Sequence, residues 1–428
     1  MAAGIAAALV AVAACQERAP TALDDRQLPE EPLTVEVALP WTDFGSNLQV
    51  LGGYASAAAL GRPVVAHTYA GTLEARTLLR FGAFPSVARV FNANGEAVTD
   101  SDITYVAGQL VVAFDTISSL STGPVTLRLG TLQEVWDART ASWTFALDTV
   151  ADQRAWAEAG AGPIDSVATA IWDPSFADSA IFLMDSTAIA RWVDATDQGR
   201  GGRVQAMTDG VRLEMNRARL RVSMRASVRP DTLAEDTVRL VERTFVYDPP
   251  PSAPVGMRVG GAPAWRTVME VALPQLTGPP ELCASVGCPF TPEAGHVSYA
   301  GLALTSRATE AAFQPVDTVR LDVRAVLSPP TLPKSPLGVS QTADIGSAVV
   351  PEAFGAQEGS SIDVPITTFM RTLLAGPDAD GRAPPSTLAL LTASEPSALG
   401  FASFFGPAEL GEPVLRLILT VGTPQVLP

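Results

Sequence analysis

Turn residues break this chain at intervals too short for a strand–helix–strand crossover, and that spacing constrains its fold more than any other feature. Asn94-Gly95, Gly123-Pro124, Asp209-Gly210 and Pro249-Pro250-Pro251 punctuate runs in which apolar residues recur near every second position. Leu127, Leu129 and Leu132 form one such run, and Val319, Leu321 and Val323 another. A period of two places one face of a strand on a core and leaves the other wet. The 35 prolines and 34 glycines among 428 residues suit short strands better than long helices. The expectation is an all-β protein built from antiparallel, jelly-roll-like β-sandwiches. Its length is about twice that of a usual domain, so two are expected.

The halves share an order of elements. Asn47-Leu48-Gln49-Val50 before Gly52-Gly53 matches Gly256-Met257-Arg258-Val259 before Gly260-Gly261, and Arg76-Thr77-Leu78-Leu79 matches Arg266-Thr267-Val268-Met269. Val125 to Leu129 pairs with Asp317 to Leu321, and Leu220-Arg221-Val222 with Leu415-Arg416-Leu417. From Arg76 to Arg266, Thr126 to Thr318 and Leu220 to Leu415, the shift stays between 190 and 195 residues. Two tandem sandwiches over 34–228 and 229–428 follow, each with one short helix. Ser186 or Thr187 is the expected cap of a turn carrying Ile189 and Val193, and Thr367 that of one carrying Met370 and Leu374.

At these elements the chain resembles the DNRLRE-domain family, bacterial surface β-sandwich modules akin to some carbohydrate-binding modules. The resemblance rests on Ala75-Arg76-Thr77-Leu78-Leu79-Arg80-Phe81 with Pro85, on Val125 to Leu129 leading to Trp136 and Trp143, on Asp185-Ser186-Thr187 with Trp192, and on Ala218 to Val222. In the second half Ser328-Pro329-Pro330 stands where the tryptophan pair is expected. The resemblance implies two divergent copies that bind rather than catalyse.

Residues 2–14 are an apolar run of small residues, too short to span a bilayer but long enough for a signal-peptide core. Val12-Ala13-Ala14-Cys15 ends it like a bacterial lipobox, which makes Cys15 the expected site of lipidation. Gln16 after the cysteine resembles lipoproteins sent to the outer membrane, and residues 16–33 read as a solvated tether. No Lys or Arg precedes Cys15, so a start upstream of Met1 is expected. Cys283 and Cys288 are close enough for a small-loop disulfide in an exported protein; a zinc site is the alternative, but only His296 is near.

A net charge of −16 with scattered basic residues argues against nucleic acid. His67 and His296 lie in different halves, poor material for a Ser-His-Asp arrangement, although a pair of carboxylates needs only spatial proximity. Asp378-Ala379-Asp380-Gly381 lacks the later ligands of a calcium loop and reads as a solvated turn, and Gly199 to Arg203 reads as a flexible loop. No metal or cofactor is expected. Trp136, Trp143 and Trp192 fit a structural role between sheets. For Trp41, Tyr54 and Tyr69, ahead of the Arg76 strand, core packing is the first reading, and they are also the candidate ligand-binding aromatics. Two functional readings follow: a lipid-anchored envelope protein that binds a glycan or surface protein, and a structural or assembly component with a fixed protein partner.

Overall fold

The computed structural model describes residues 32–92, 94–194, 201–262, 264–328, 335–396 and 398–422. The signal peptide, Cys15, nearly all of the tether, Gly199-Arg200 and Pro329-Pro330 lie outside them. The protein is all-β. The first repeat supplies β1 (Leu33–Pro40), β2 (Gly45–Leu51), β3 (Val64–Tyr69), β4 (Leu73–Phe81), β5 (Ala88–Phe91), β6 (Ala97–Asp100) and β7 (Ile103–Phe114). It continues with β8 (Val125–Leu132), β9 (Phe145–Asp148), β10 (Gln153–Ala155), β11 (Ile164–Trp172), β12 (Ser179–Asp185), β13 (Gly202–Ala206) and β14 (Val211–Ala226). The second supplies β15 (Arg229–Val238), β16 (Leu240–Asp248), β17 (Met257–Gly260), β18 (Arg266–Val271), β19 (Val297–Arg307) and β20 (Val319–Val326). β21 (Leu337–Ser340), β22 (Ser347–Val349), β23 (Ser361–Pro365), β24 (Thr387–Thr392), β25 (Phe401–Phe404) and β26 (Val414–Val421) complete it.

Only Ser227 and Val228 separate β14 from β15, and so short a link returns the chain antiparallel along the strand it has left. The opening hairpin of the second repeat therefore belongs to the sandwich of the first. There β15-β14-β7-β12 forms one layer and β16-β4-β13-β8-β11 the other, with β3 bridging β14 and β4. The remaining sandwich has β1-β26-β19-β23 against β2-β18-β24-β20-β21, with β17 and β25 as the bridge. β1 and β2 thus hold the places that β15 and β16 hold in the other body. Leu39 lies opposite Leu415, as Val238 lies opposite Leu220.

This corrects the domain boundary. Residue 228/229 separates the sequence repeats, not the folded bodies: one body is 64–248, and the other joins 33–51 to 257–421. The matches of β4 with β18, β8 with β20 and β14 with β26 agree with the topology to within two residues. The match of the Asn47 piece with the Gly256 piece does not. β17 corresponds to β3: β3 pairs with the start of β14, and β17 pairs with β25, the short strand that precedes β26.

Each body has its own core, the first around Leu110, Leu127, Phe182 and Leu220 and the second around Leu302, Leu321, Val364 and Leu417. Two short helices recur after equivalent strands: α2 (Ser186–Val193) after β12 and α4 (Thr367–Ala375) after β23. Their caps differ from expectation. Asp185 accepts from the Ala188 amide at 2.8 Å, because the carboxylate one residue earlier reaches that orphan donor. Thr367 spends its hydroxyl on the backbone of Ala300 in β19. The second body also carries a short turn of helix, α1 (Trp41–Phe44), and α3 (Pro280–Val286), which Cys283 and Cys288 close with the expected disulfide. A third apolar cluster joins the bodies: Ala75 and Phe245 of the first and Leu60 of the 52–63 linker meet Ala262, Phe313 and Phe401 of the second.

The segment β1–α1 buries Val35, Val37, Leu39, Trp41 and Phe44 in the second core. At ~1.5–3 kcal/mol per side chain this is on the order of 10 kcal/mol, comparable to the whole stability of a domain. We expect residues 64–248 to fold when expressed alone and residues 229–428 not to. The check is cooperative thermal unfolding by circular dichroism; a cooperative transition in 229–428 would contradict the assignment.

Candidate functional site

β4 alternates so that Ala75, Thr77, Leu79 and Phe81 are buried, whereas Arg76, Leu78 and Arg80 face an insertion over residues 133–163. This insertion carries the β9–β10 hairpin and covers the sheet with Trp136, Ala146 and Trp156, packed on Leu78, Leu132 and Val246. Two guanidiniums brace it. Arg80 lies 4.4 Å from the ring centre of Trp136 and Arg76 lies 4.8 Å from that of Trp143. Arg203, almost fully buried, donates to the carbonyls of Gly160, Ala161 and Gly162, which adopt positive φ and so turn those oxygens inward. Burial, with help from Arg76 and Arg128, lowers its pKa to about 10, which leaves it charged at neutral pH.

In the second body the counterpart of Arg76 is Arg266. Its guanidinium lies 3.8 Å from the ring centre of Tyr54, and Glu395 holds it through Nε and Nη2 at 2.8 and 2.6 Å. The aromatic partner comes from the 52–63 linker between the bodies rather than from a tryptophan insertion. That linker supplies a ring where the second half lacks its tryptophan pair.

Between these two braced rings lie adjoining hollows that share Ala55 and Ser56. The larger, about 510 Å³, is lined by Ala55 to Ala57, by Ala141 to Thr144, by Phe245 to Asp248, and by Pro250 and Ala262. It sits where both linkers between the sandwiches meet the insertion. The smaller, about 480 Å³, is bordered by Tyr54 and Arg139. Trp143 is half-buried at the larger cleft, and Trp156 fixes its backbone neighbour by donating to the Ser142 carbonyl at 2.9 Å. Tyr247 packs on Phe245 and Phe313, at 5.7 and 6.2 Å between ring centres. Burial pushes its phenol from the ordinary 10.0 up to about 12, so it stays a neutral hydrogen-bonding group through the ordinary pH range. No residue among those described hydrogen-bonds its hydroxyl. The cleft thus offers apolar walls, neutral hydroxyls on Tyr247, Ser56, Ser142 and Thr144, and a single carboxylate, Asp248.

The three candidate ligand-binding aromatics do not converge. Tyr54 borders the smaller hollow. Trp41 is 8% exposed, edge-on to Phe44 and closely packed on Gly45, so it presents no ring face. Tyr69 packs into the cluster between the bodies, 5.9 Å from the guanidinium of Arg212. Sequence reasoning missed Trp143 and Tyr247 as cleft residues; the Phe245-Val246-Tyr247 run was the available signal for the latter. Trp136 and Trp192 are buried, and Trp192 donates to Thr131 Oγ1 at 2.6 Å.

Neither histidine lines the cleft. His67 lies between Glu74 and Asp209, and His296 accepts from the Glu293 amide. Among the described residues no three His, Cys, Asp or Glu side chains are grouped to hold a metal ion. Asp378 accepts from the amides of Asp380 and Arg382 in an exposed turn. No helix among them is long and apolar enough to cross a membrane.

No family model matches the chain, and no curated protein matches it. Among solved structures, a chain titled "BspA_C_WT" is 6% identical over 79% of this chain and 91% of its own, with a TM-score of 0.11. The C-terminal domain of the Streptococcus pyogenes antigen I/II-family protein AspA is 7% identical over 80% and 91%, also with a TM-score of 0.11. Likenesses this slight carry no argument.

Tyr247 gives a pH test. Its folded pKa lies above the unfolded one, so its contribution to stability is intact below about 10 and is lost as pH rises towards about 12. We expect Tyr247→Phe to remove one late-ionising component from an ultraviolet titration and to reduce the loss of thermal stability between those pH values. An unchanged titration curve would contradict the burial of the phenol.

Proposed function

We propose that this is an exported bacterial envelope protein, anchored by lipid on Cys15, that displays a non-catalytic binding cleft for a neutral glycan. The observation that carries the reading is the pair of hollows flanked by Trp143 and Tyr54, each ring braced by an arginine of an equivalent strand. Sugars present apolar C–H faces to aromatic rings and hydroxyls to neutral hydrogen-bonding groups, and the cleft supplies both. One carboxylate at the cleft is short of the pair that glycoside hydrolysis needs, which favours binding over turnover. The lipobox-like Val12-Ala13-Ala14-Cys15 and the resemblance to DNRLRE modules support display at the envelope.

A glycan array probed with the protein should give a saturable signal with neutral oligosaccharides. Trp143→Ala and Tyr54→Ala should each weaken it by about tenfold or more, as is usual for an anchoring aromatic. Labelled palmitate should enter the wild-type protein in cells and not Cys15→Ser. Silence on the array, with one envelope protein retained through purification, would replace this reading with that of an assembly component.

A further inference from the structure

The outer face of the first sandwich carries a feature that the cleft does not use. β14 reads Arg217, Arg219, Arg221, Ser223, Arg225 at every second position, and all four arginines are exposed on one side of the sheet. None of them has an ion pair or a side-chain hydrogen bond among the described residues. Alternate residues of a strand stand ~6.6 Å apart, so the guanidiniums form a single file on the order of 26 Å long. Gln109 and Thr237 flank Arg221 from the neighbouring strands, and Val111 flanks Arg219, with Ile181 beyond it. Ile181 and Leu183 of β12 are exposed apolar residues on this face. The acidic residues level with the file are Glu235 and Asp185, both in the row of Ser223, where the arginines are interrupted.

The second sandwich shows that the file is not a general property of the fold. Arg416 holds there the place of Arg221, beside Leu415 where Arg221 is beside Leu220. It is neutralised across the strands by Glu36 at 2.8 Å and Asp363 at 2.7 Å. In the first sandwich Glu235, opposite Ser223, holds the place of Glu36, opposite Ile418, but Ile181 stands where Asp363 does, and the four guanidiniums make no ion pair among the described residues.

We propose that this face binds a linear acidic polysaccharide laid along β14, its negative groups on the guanidiniums and its apolar sugar faces towards Ile181 and Leu183. A single file of cations whose direct cross-strand neighbours are uncharged fits an extended chain of regularly spaced anions. A bilayer would present a two-dimensional field of phosphates, which one row of charges and a flat sheet meet poorly. The proposal does not rest on the cleft.

The test is binding of fluorescent polygalacturonate to the purified full chain, with dextran as the neutral polymer and phosphatidylglycerol vesicles as the anionic surface. Binding is expected to polygalacturonate but not dextran, and to weaken as salt rises from about 0.01 to about 1 M, over which the screening length falls from about 30 to about 3 Å. The quadruple variant R217Q/R219Q/R221Q/R225Q, with its fold checked by thermal unfolding, should bind about tenfold more weakly, the product of four weak surface ion pairs. Arg416→Gln should bind as the wild type does. Equal binding by the quadruple variant and the wild type, equal binding of dextran, or binding to the vesicles alone would each overturn the proposal.

Discussion

The architecture depends on a two-residue link. Ser227 and Val228 leave β15 no course but back along β14, so the second repeat gives its first hairpin to the sandwich of the first. The vacated edge of the second sandwich is filled by β1 and β2 from the far end of the chain. Each folded body therefore draws strands from both repeats, and neither repeat has a complete core of its own.

That exchange also places the cleft. Because β2 ends in one sandwich and β3 begins in the other, the 52–63 linker crosses the junction and brings Tyr54 to Arg266. Because β16 ends in the first sandwich and β17 begins in the second, Tyr247 reaches Phe313 across the same junction. Equivalent arginines on β4 and β18 each hold an aromatic ring, one from an insertion and one from a linker. Cation–π contacts of this kind contribute about 0.5–2 kcal/mol each, enough to orient a half-buried ring without fixing the fold.

Local features were legible in the sequence: the all-β class, both recurrent helices and the disulfide. Turn chemistry, apolar period and cysteine spacing act over a few residues, and the sequence displays them directly. Three of the four repeat matches also held, because Arg76, Thr126 and Leu220 sit on strands whose partners are equivalent in both bodies. Pairing between distant strands was not legible. Nothing in Leu33–Pro40 says that its partner is Val414–Val421 rather than β14, since both offer alternating apolar faces. For the same reason the sequence left Trp41, which stands next to β1 and shares its burial, open between core packing and ligand binding, and it is a core residue.

The exchange of hairpins is most directly tested by cross-linking. Thr34 lies opposite Thr420, with their hydroxyls 3.4 Å apart. If each repeat closed on itself, Thr34 would take the place that Leu233 now holds opposite Arg225. Two variants, Thr34→Cys with Thr420→Cys and Thr34→Cys with Arg225→Cys, would be treated with a short thiol-reactive cross-linker and mapped by peptide mass spectrometry. The exchanged arrangement predicts an intramolecular link in the first variant and none in the second. A link between residues 34 and 225 with none between 34 and 420 would contradict it.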